Sequence, residues 1–152
     1  MQIGLIDVDS KIPNLALMKL SAFYKNKGDN VEWAIPMLPY DRIYISKVFT
    51  HTNDFDTCLM ADEIIRGGSG YDLKNKLDDA IEHTCPDYGL YGVKNTAYGF
   101  LSRGCPRACK FCIVSEKVAD LKEFWNGQKE IVVLDPNLLA CNDKYDLLQQ
   151  LI

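Results

Sequence analysis

Hydrophobic runs and one amphipathic stretch alternate along the first half of the chain. Residues 2–8 form a continuous apolar run that ends among aspartates, which is typical of a buried strand. Residues 15–28 carry apolar positions at helical spacing, and lysines precede their final glycine, as at a helix C-terminus. The pattern further predicts strands at residues 30–36, 41–49 and 61–66 and a short helix at residues 74–82.

This order of elements predicts an α/β fold in two parts. Residues 1–82 are expected to form an open, mostly parallel sheet. Residues 83–95 have little periodicity and contain proline and glycine, which favours a linker. Residues 96–152 are interpreted as β–loop–α–β–α, with strands at residues 96–102 and 130–134, a loop at 103–112, and helices at 115–125 and 144–151.

Composition narrows the class of protein. Hydrophobic residues make up 47% and charged residues 25%, as in folded globular domains. We expect a cytoplasmic protein without a membrane partner, because no apolar run is long enough for a bilayer and no basic leader precedes the first strand. The net charge is −4, from 17 Lys+Arg and 21 Asp+Glu, so binding to nucleic acid through phosphate charge is not expected.

The cysteines carry the clearest chemical signal. Three of the six are clustered as CxxxCxxC, at Cys105, Cys109 and Cys112. Clustered thiols in a reducing compartment indicate metal binding or catalysis. Three thiolates within eight residues can converge on three irons of a four-iron cluster, which leaves one iron open to a small-molecule chelate.

Other interpretations of this motif remain open. A zinc site is one, although structural zinc prefers four ligands. Buried structural thiols are another, and a single helical face is a third, although Gly104 and Pro106 oppose a helix at the start of the motif. The dispersed Cys58, Cys85 and Cys141 have no ligand-like spacing and are expected to be buried as small hydrophobic residues.

The motif, with the aromatic Phe111 before its third cysteine, resembles the signature of radical S-adenosylmethionine (radical SAM) enzymes. The predicted strand before it, and the helix and strand after it, are similar to the start of that family's barrel. Nearly the whole chain resembles members with an N-terminal cobalamin-binding-like, flavodoxin-like domain, through residues 41–50, 61–72, 86–92 and 97–114.

The resemblance implies an enzyme and its cofactors. Cys105, Cys109 and Cys112 would bind a 4Fe–4S cluster, whose fourth iron is chelated by S-adenosylmethionine. The backbone at Phe111 would lie near the adenine. The reduced cluster would cleave S-adenosylmethionine to a 5′-deoxyadenosyl radical, which takes hydrogen from a substrate of unknown identity, and an electron donor would be required.

Two further positions depart from the family pattern. Asp135 and Asn137 stand where the family has a Gly-Gly-Glu stretch near the amino group of S-adenosylmethionine, and both can accept hydrogen bonds from an ammonium group. An Asx-type turn and helix cap is the alternative for this pair. After the first strand, residues 7–11 hold no histidine that would serve as the lower ligand of cobalamin. Two alternatives stay open: the domain binds cobalamin without that ligand, or it retains only the fold.

Length sets the last expectation. A complete (β/α) barrel takes roughly 200 residues or more, whereas residues 96–152 supply two βα units. We therefore expect the N-terminal portion of a longer or split enzyme, inactive alone and able to self-associate through an exposed sheet edge. The alternatives are a non-catalytic iron–sulfur or zinc-binding module and an inactive truncated remnant.

Overall fold

A computed structural model describes residues 1–55, 57–102, 110 and 123–152. These residues form two compact units, Met1–Gly92 and Val93–Ile152. The first unit contains a four-stranded sheet in which every neighbouring pair is parallel, in the order β2-β1-β3-β4. This confirms the predicted α/β class with a parallel sheet. Its elements are β1 (Gln2–Asp7), α1 (Leu15–Asn26), β2 (Asn30–Trp33), β3 (Pro39–Ser46), β4 (Met60–Gly67), α2 (Asp79–Glu82) and a 3-10 helix at Tyr88–Tyr91.

Helix α1 covers one face of this sheet. Alternate residues of β1, Ile3 and Leu5, are buried against Leu17 and Leu20 of the helix, as the period-two pattern of a strand requires. The helix begins where the side chain of Asn14 accepts hydrogen bonds from the first-turn backbone N–H groups. The apolar spacing noted in the sequence is therefore the buried stripe of α1.

On the opposite face of the sheet, the connection between β2 and β3 lies against β1. The connection from β2 to β3 has only five residues, 34–38, yet the two strands lie on either side of β1. A Cβ atom added to Gly4 would stand 3.0 Å from Cβ of Ala34 and 3.2 Å from Cδ1 of Tyr40. The connection thus lies directly on β1, and glycine at position 4 makes that approach possible.

Two elements differ from their sequence-based prediction. The predicted helix at residues 74–82 is only the four-residue α2, because this stretch offers few apolar side chains to pack: Ile81 is its buried residue. Within the predicted linker, residues 83–92 pack on the first unit. The N–H of Asp87 donates to the carbonyl of Met18, and Ser21 donates to the Asp87 carboxylate.

The second unit contains a parallel pair of strands. These are β5 (Thr96–Gly99) and β6 (Glu130–Val133), followed by a 3-10 helix at Leu138–Ala140 and α3 (Lys144–Gln149). Parallel neighbours require a crossover connection between them. The predicted loop at 103–112, apart from residue 110, and most of the predicted helix at 115–125 lie outside the described residues. Among the helices described, none is both long and apolar enough to cross a membrane.

Candidate functional site

The chain reaches the cysteine motif from the carboxyl end of β5. Cys105, Cys109, Cys112 and Phe111 themselves lie outside the described residues. The strands that bracket them are described: Gly99 at the end of β5 is paired with Val133 at the end of β6. Because parallel strands end at the same sheet edge, the residues after both strands meet there, as at the ligand-binding edge of open α/β sheets.

Asp135 connects these two strand ends. Its Oδ2 accepts a hydrogen bond of 2.8 Å from the backbone N–H of Leu101. Its Oδ1 accepts from the backbone N–H of Ser102 and, at 2.5 Å, from the Ser102 hydroxyl. One carboxylate therefore binds two successive residues of the chain that leaves β5, an arrangement we call the Asp135 bridge.

The environment strengthens the Asp135 bridge. Leu101 is 0% exposed and Ser102 is 3% exposed, so water cannot easily replace Asp135 as their acceptor. Hydrogen bonds to an ionised carboxylate are stronger than those between neutral groups. The bridge thereby fixes the backbone three residues before Cys105.

Asn137 has a different place. It precedes the 3-10 helix Leu138–Ala140, and its carbonyl oxygen accepts a 3.1 Å hydrogen bond from the N–H of Ala140. Its side chain makes no capping hydrogen bond. The Asn137 side chain therefore does not cap this helix, while Asp135 binds a neighbouring strand end. The Asx-type turn stays a prediction. Binding of the S-adenosylmethionine amino group by either residue stays a prediction.

The end of β5 is also in close contact with the segment that returns toward β6. The ring of the buried Phe124 packs on Gly99, and a Cβ atom there would stand 2.1 Å from Cγ of the ring. Only glycine permits this approach. Glycine and aromatic ring together place the chain after the motif against the strand before it.

The first unit contains an arrangement equivalent to the Asp135 bridge. Asp9 follows β1, and its carboxylate accepts from the backbone N–H groups of Val48 (2.7 Å) and Phe49 (2.9 Å), which follow β3. We call this the Asp9 bridge. Partial burial alone would raise the pKa of Asp9, but these hydrogen bonds outweigh it and lower the pKa. Sequence reasoning missed both bridges, although each aspartate stands two residues after its strand ends.

Other polar groups at this edge of the first unit are bonded to one another. Tyr91 donates to the carboxylate of Asp7, and the side-chain amide of Asn14 donates to the hydroxyls of Ser10 and Ser46, both at 2.9 Å. Burial, followed by the Asp7 carboxylate, raises the pKa of Tyr91. The polar groups after β1 therefore form hydrogen bonds within the first unit.

Lys47 and Gly68 make further internal contacts at the same edge of the sheet. The amine of Lys47 is buried, pairs with the carboxylate of Asp54 and lies 4.3 Å from the ring centre of Tyr71. Gly68 has a positive φ of 93°, and a Cβ atom there would stand 2.3 Å from the Lys47 carbonyl oxygen. The glycine-rich turn after β4 therefore packs on the backbone of Lys47. The positive φ that this contact uses is one that glycine adopts readily.

The dispersed cysteines are not gathered with other metal-ligating side chains among the described residues. Within the described part of the chain, no group of three or more His, Cys, Asp or Glu side chains is placed to hold a metal ion. Cys141 is buried and Cys85 is half-buried, as small hydrophobic side chains often are. Cys58 is exposed, so the prediction that all three are buried was wrong for this residue.

Comparison with known proteins gives no relative: no family model matches the chain, and neither the curated proteins nor the solved structures contain a significant match.

Proposed function

We propose that the chain is a radical SAM iron–sulfur protein whose Cys105, Cys109 and Cys112 hold a 4Fe–4S cluster. The observation that supports the proposal is that CxxxCxxC stands in the sequence between two directly paired parallel strands, and begins three residues after the Asp135 bridge. The carboxyl edge of a parallel pair is the usual place for a ligand in α/β folds.

The donor set of the motif fits this cluster. Cysteine thiolates are the protein ligands of iron–sulfur centres, and three of them leave one iron open to S-adenosylmethionine. When bound, the cluster would supply the electron that cleaves S-adenosylmethionine and yields a 5′-deoxyadenosyl radical. The chain's own part would be to hold the cluster through the three cysteines and to approach the adenine with the backbone at Phe111. Asn137, and the acceptor capacity of Asp135 that Leu101 and Ser102 do not use, would be available to the amino group.

The first unit is proposed to be a flavodoxin-like, cobalamin-binding-like domain. Its parallel strand order β2-β1-β3-β4 and the helix between β1 and β2 support that assignment. Histidine-ligated cobalamin is not part of the proposal, because residues 7–11 after β1 hold no histidine. Asp9 in this segment accepts hydrogen bonds from the backbone of Val48 and Phe49. We further propose a cytoplasmic location and an external electron donor.

The first experiment measures iron, sulfide and zinc in the full chain after anaerobic purification and reconstitution. We expect about four irons and four sulfides per chain. Cys109→Ala should lose them, whereas the matched control Cys58→Ala, outside the motif, should keep them. Zinc in place of iron, or metal content that Cys109→Ala leaves unchanged, would overturn the cluster.

A second measurement separates an enzyme from an electron carrier. The reduced cluster is examined by electron paramagnetic resonance with and without S-adenosylmethionine. A change of the spectrum on addition of S-adenosylmethionine is expected, because the compound would bind the open iron. A four-iron cluster whose spectrum does not respond would favour the alternative, a non-catalytic iron–sulfur module.

A further inference from the structure

We propose that Asp135 is a positioning residue that holds the start of the cysteine motif and thereby determines how well the chain retains its cluster. The inference rests on the proposed function and adds to it. It assigns Asp135 a role toward the backbone of Leu101 and Ser102, independent of any contact with S-adenosylmethionine.

The geometry of the bridge supports a positioning role. Two successive N–H groups are directed at the two oxygens of one carboxylate, and this fixes the orientation of two consecutive peptide planes. The Ser102 hydroxyl adds a third hydrogen bond to Oδ1. A carboxylate has about four lone-pair sites, so the chain itself uses most of the acceptor capacity of Asp135.

The first unit supplies an internal precedent. Asp7 is paired with Ser46 and Val133 with Gly99, so each bridging aspartate lies two positions beyond the last pair of its strands. In both units, the residue before the aspartate donates its N–H to the carbonyl of the last residue of the neighbouring strand: Val8 to Ser46 at 3.0 Å, and Leu134 to Gly99 at 2.7 Å. Asp135 therefore occupies a place where this chain uses a carboxylate to fix the backbone.

The segments beyond the two bridges differ in the chemistry they carry. After the Asp9 bridge the chain enters a loop without a cysteine motif, whereas Cys105 comes three residues after Ser102. Three thiolates bind one cluster well only when the backbone that carries them is held in place, because every ligand that moves adds an entropic cost. A carboxylate that fixes this backbone in advance would therefore slow the loss of iron.

Amide hydrogen exchange in the metal-free chain tests the bridge itself. Asp135→Ala should accelerate exchange at Leu101 and Ser102 about tenfold or more, because their buried N–H groups lose an ionised acceptor. The matched control is Glu130→Ala at the other end of the same strand pair, where Glu130 accepts a 3.1 Å hydrogen bond from the Thr96 hydroxyl. This control should leave exchange at Leu101 and Ser102 unchanged. Equal protection in Asp135→Ala would overturn the bridge.

Iron release from the reconstituted full chain tests the consequence for the cluster. With an iron chelator and no S-adenosylmethionine, Asp135→Ala should lose iron at least about threefold faster than wild type, and Glu130→Ala at the wild-type rate. Asp135→Asn retains one acceptor oxygen, and Ser102→Ala removes only the hydroxyl contact. Each should therefore release iron at a rate between those of the wild type and Asp135→Ala. Near-ultraviolet circular dichroism verifies that each variant is folded.

The outcomes separate the two proposals. A wild-type chain that takes up no iron overturns the proposed function and the role in cluster retention together, while amide exchange still decides whether the bridge exists. A wild-type cluster that Asp135→Ala releases at the normal rate overturns only the positioning role. Altered iron release that requires S-adenosylmethionine would assign Asp135 to that ligand and would also overturn the positioning role.

Discussion

The carboxyl edges of the two parallel sheets use the same backbone arrangement in different surroundings. In the first unit, position 7 at the end of β1 is an aspartate that binds Tyr91. In the second unit, the equivalent position at the end of β6 is Val133, which offers no polar side chain. One edge is occupied by internal hydrogen bonds, and the other continues into the cysteine motif. Both pairs of strand ends thus share the same hydrogen bonds between an aspartate and the neighbouring backbone. The two edges differ in the residues that follow these bonds.

The largest expected difference between the two edges concerns their strand-end glycines. Gly99→Ala should lower the free energy of unfolding of the second unit by about 3 kcal/mol, because the new methyl group would overlap the Phe124 ring. Gly67→Ala at the end of β4 should change stability by less than about 0.5 kcal/mol, since no described atom lies within 4 Å of the Cβ position. Denaturant unfolding, followed by the fluorescence of Trp125 or Trp33, measures both. Equal effects would contradict the close packing at Gly99.

The next effect concerns the residue that links α1 to the first edge. Asn14→Ala removes the helix cap and the amide contacts with two serines, and should destabilise the first unit by about 2 kcal/mol. Asn14→Asp retains the capping oxygen but loses the amide donors, and should cost about 1 kcal/mol. An Asn14→Asp variant as stable as wild type in denaturant unfolding would show that the contacts with Ser10 and Ser46 contribute nothing.

A smaller effect is expected at the contact that the second edge lacks. Tyr91→Phe removes the hydroxyl that donates to Asp7 and should lower the stability of the first unit by about 1 kcal/mol. Thermal unfolding measures the change, and an unchanged melting temperature for Tyr91→Phe would show that this edge does not depend on the contact.

Acid should lower the stability of the first unit, because the pKa values of Asp9 and Asp87 are lowered in the folded state. Burial alone would raise the pKa of Asp87, but hydrogen bonds from Lys25 and Ser21 outweigh it, so the pKa is lowered, as it is for Asp9. A carboxyl whose pKa is lower in the folded state stabilises the fold above its unfolded pKa of about 3.9, and this contribution disappears as the pH falls through the folded pKa. Unfolding at pH 7, 5 and 3 should show a loss between pH 5 and pH 3, reduced in Asp87→Asn. A loss confined to pH 5–7 would not agree.

The sequence predicted the elements whose signal is local. The apolar run at β1 and the helical spacing of α1 place hydrophobic side chains on faces that the structure buries, and the apolar run at β6 forms a strand whose Ile131 and Val133 are half-buried. The bridges could not be predicted in this way. Asp135 and Leu101 are 34 residues apart, and only the pairing of Gly99 with Val133 brings them together. The sequence Asp135-Pro136 is typical of a turn. The residues around it therefore give no indication that Asp135 binds the backbone of a distant segment.

The five-residue connection between β2 and β3 has a consequence for folding kinetics. An extended chain of this length spans at most about 20 Å, so β2 and β3 can reach their places only by crossing β1 directly. With β1 absent, Gly4 would no longer form the surface on which Ala34 rests, β2 would have no strand to pair with, and β3 would be paired with β4 alone. We therefore expect β1, β2 and β3 to form in one cooperative step, as a single folding nucleus, with β4 added later at the edge.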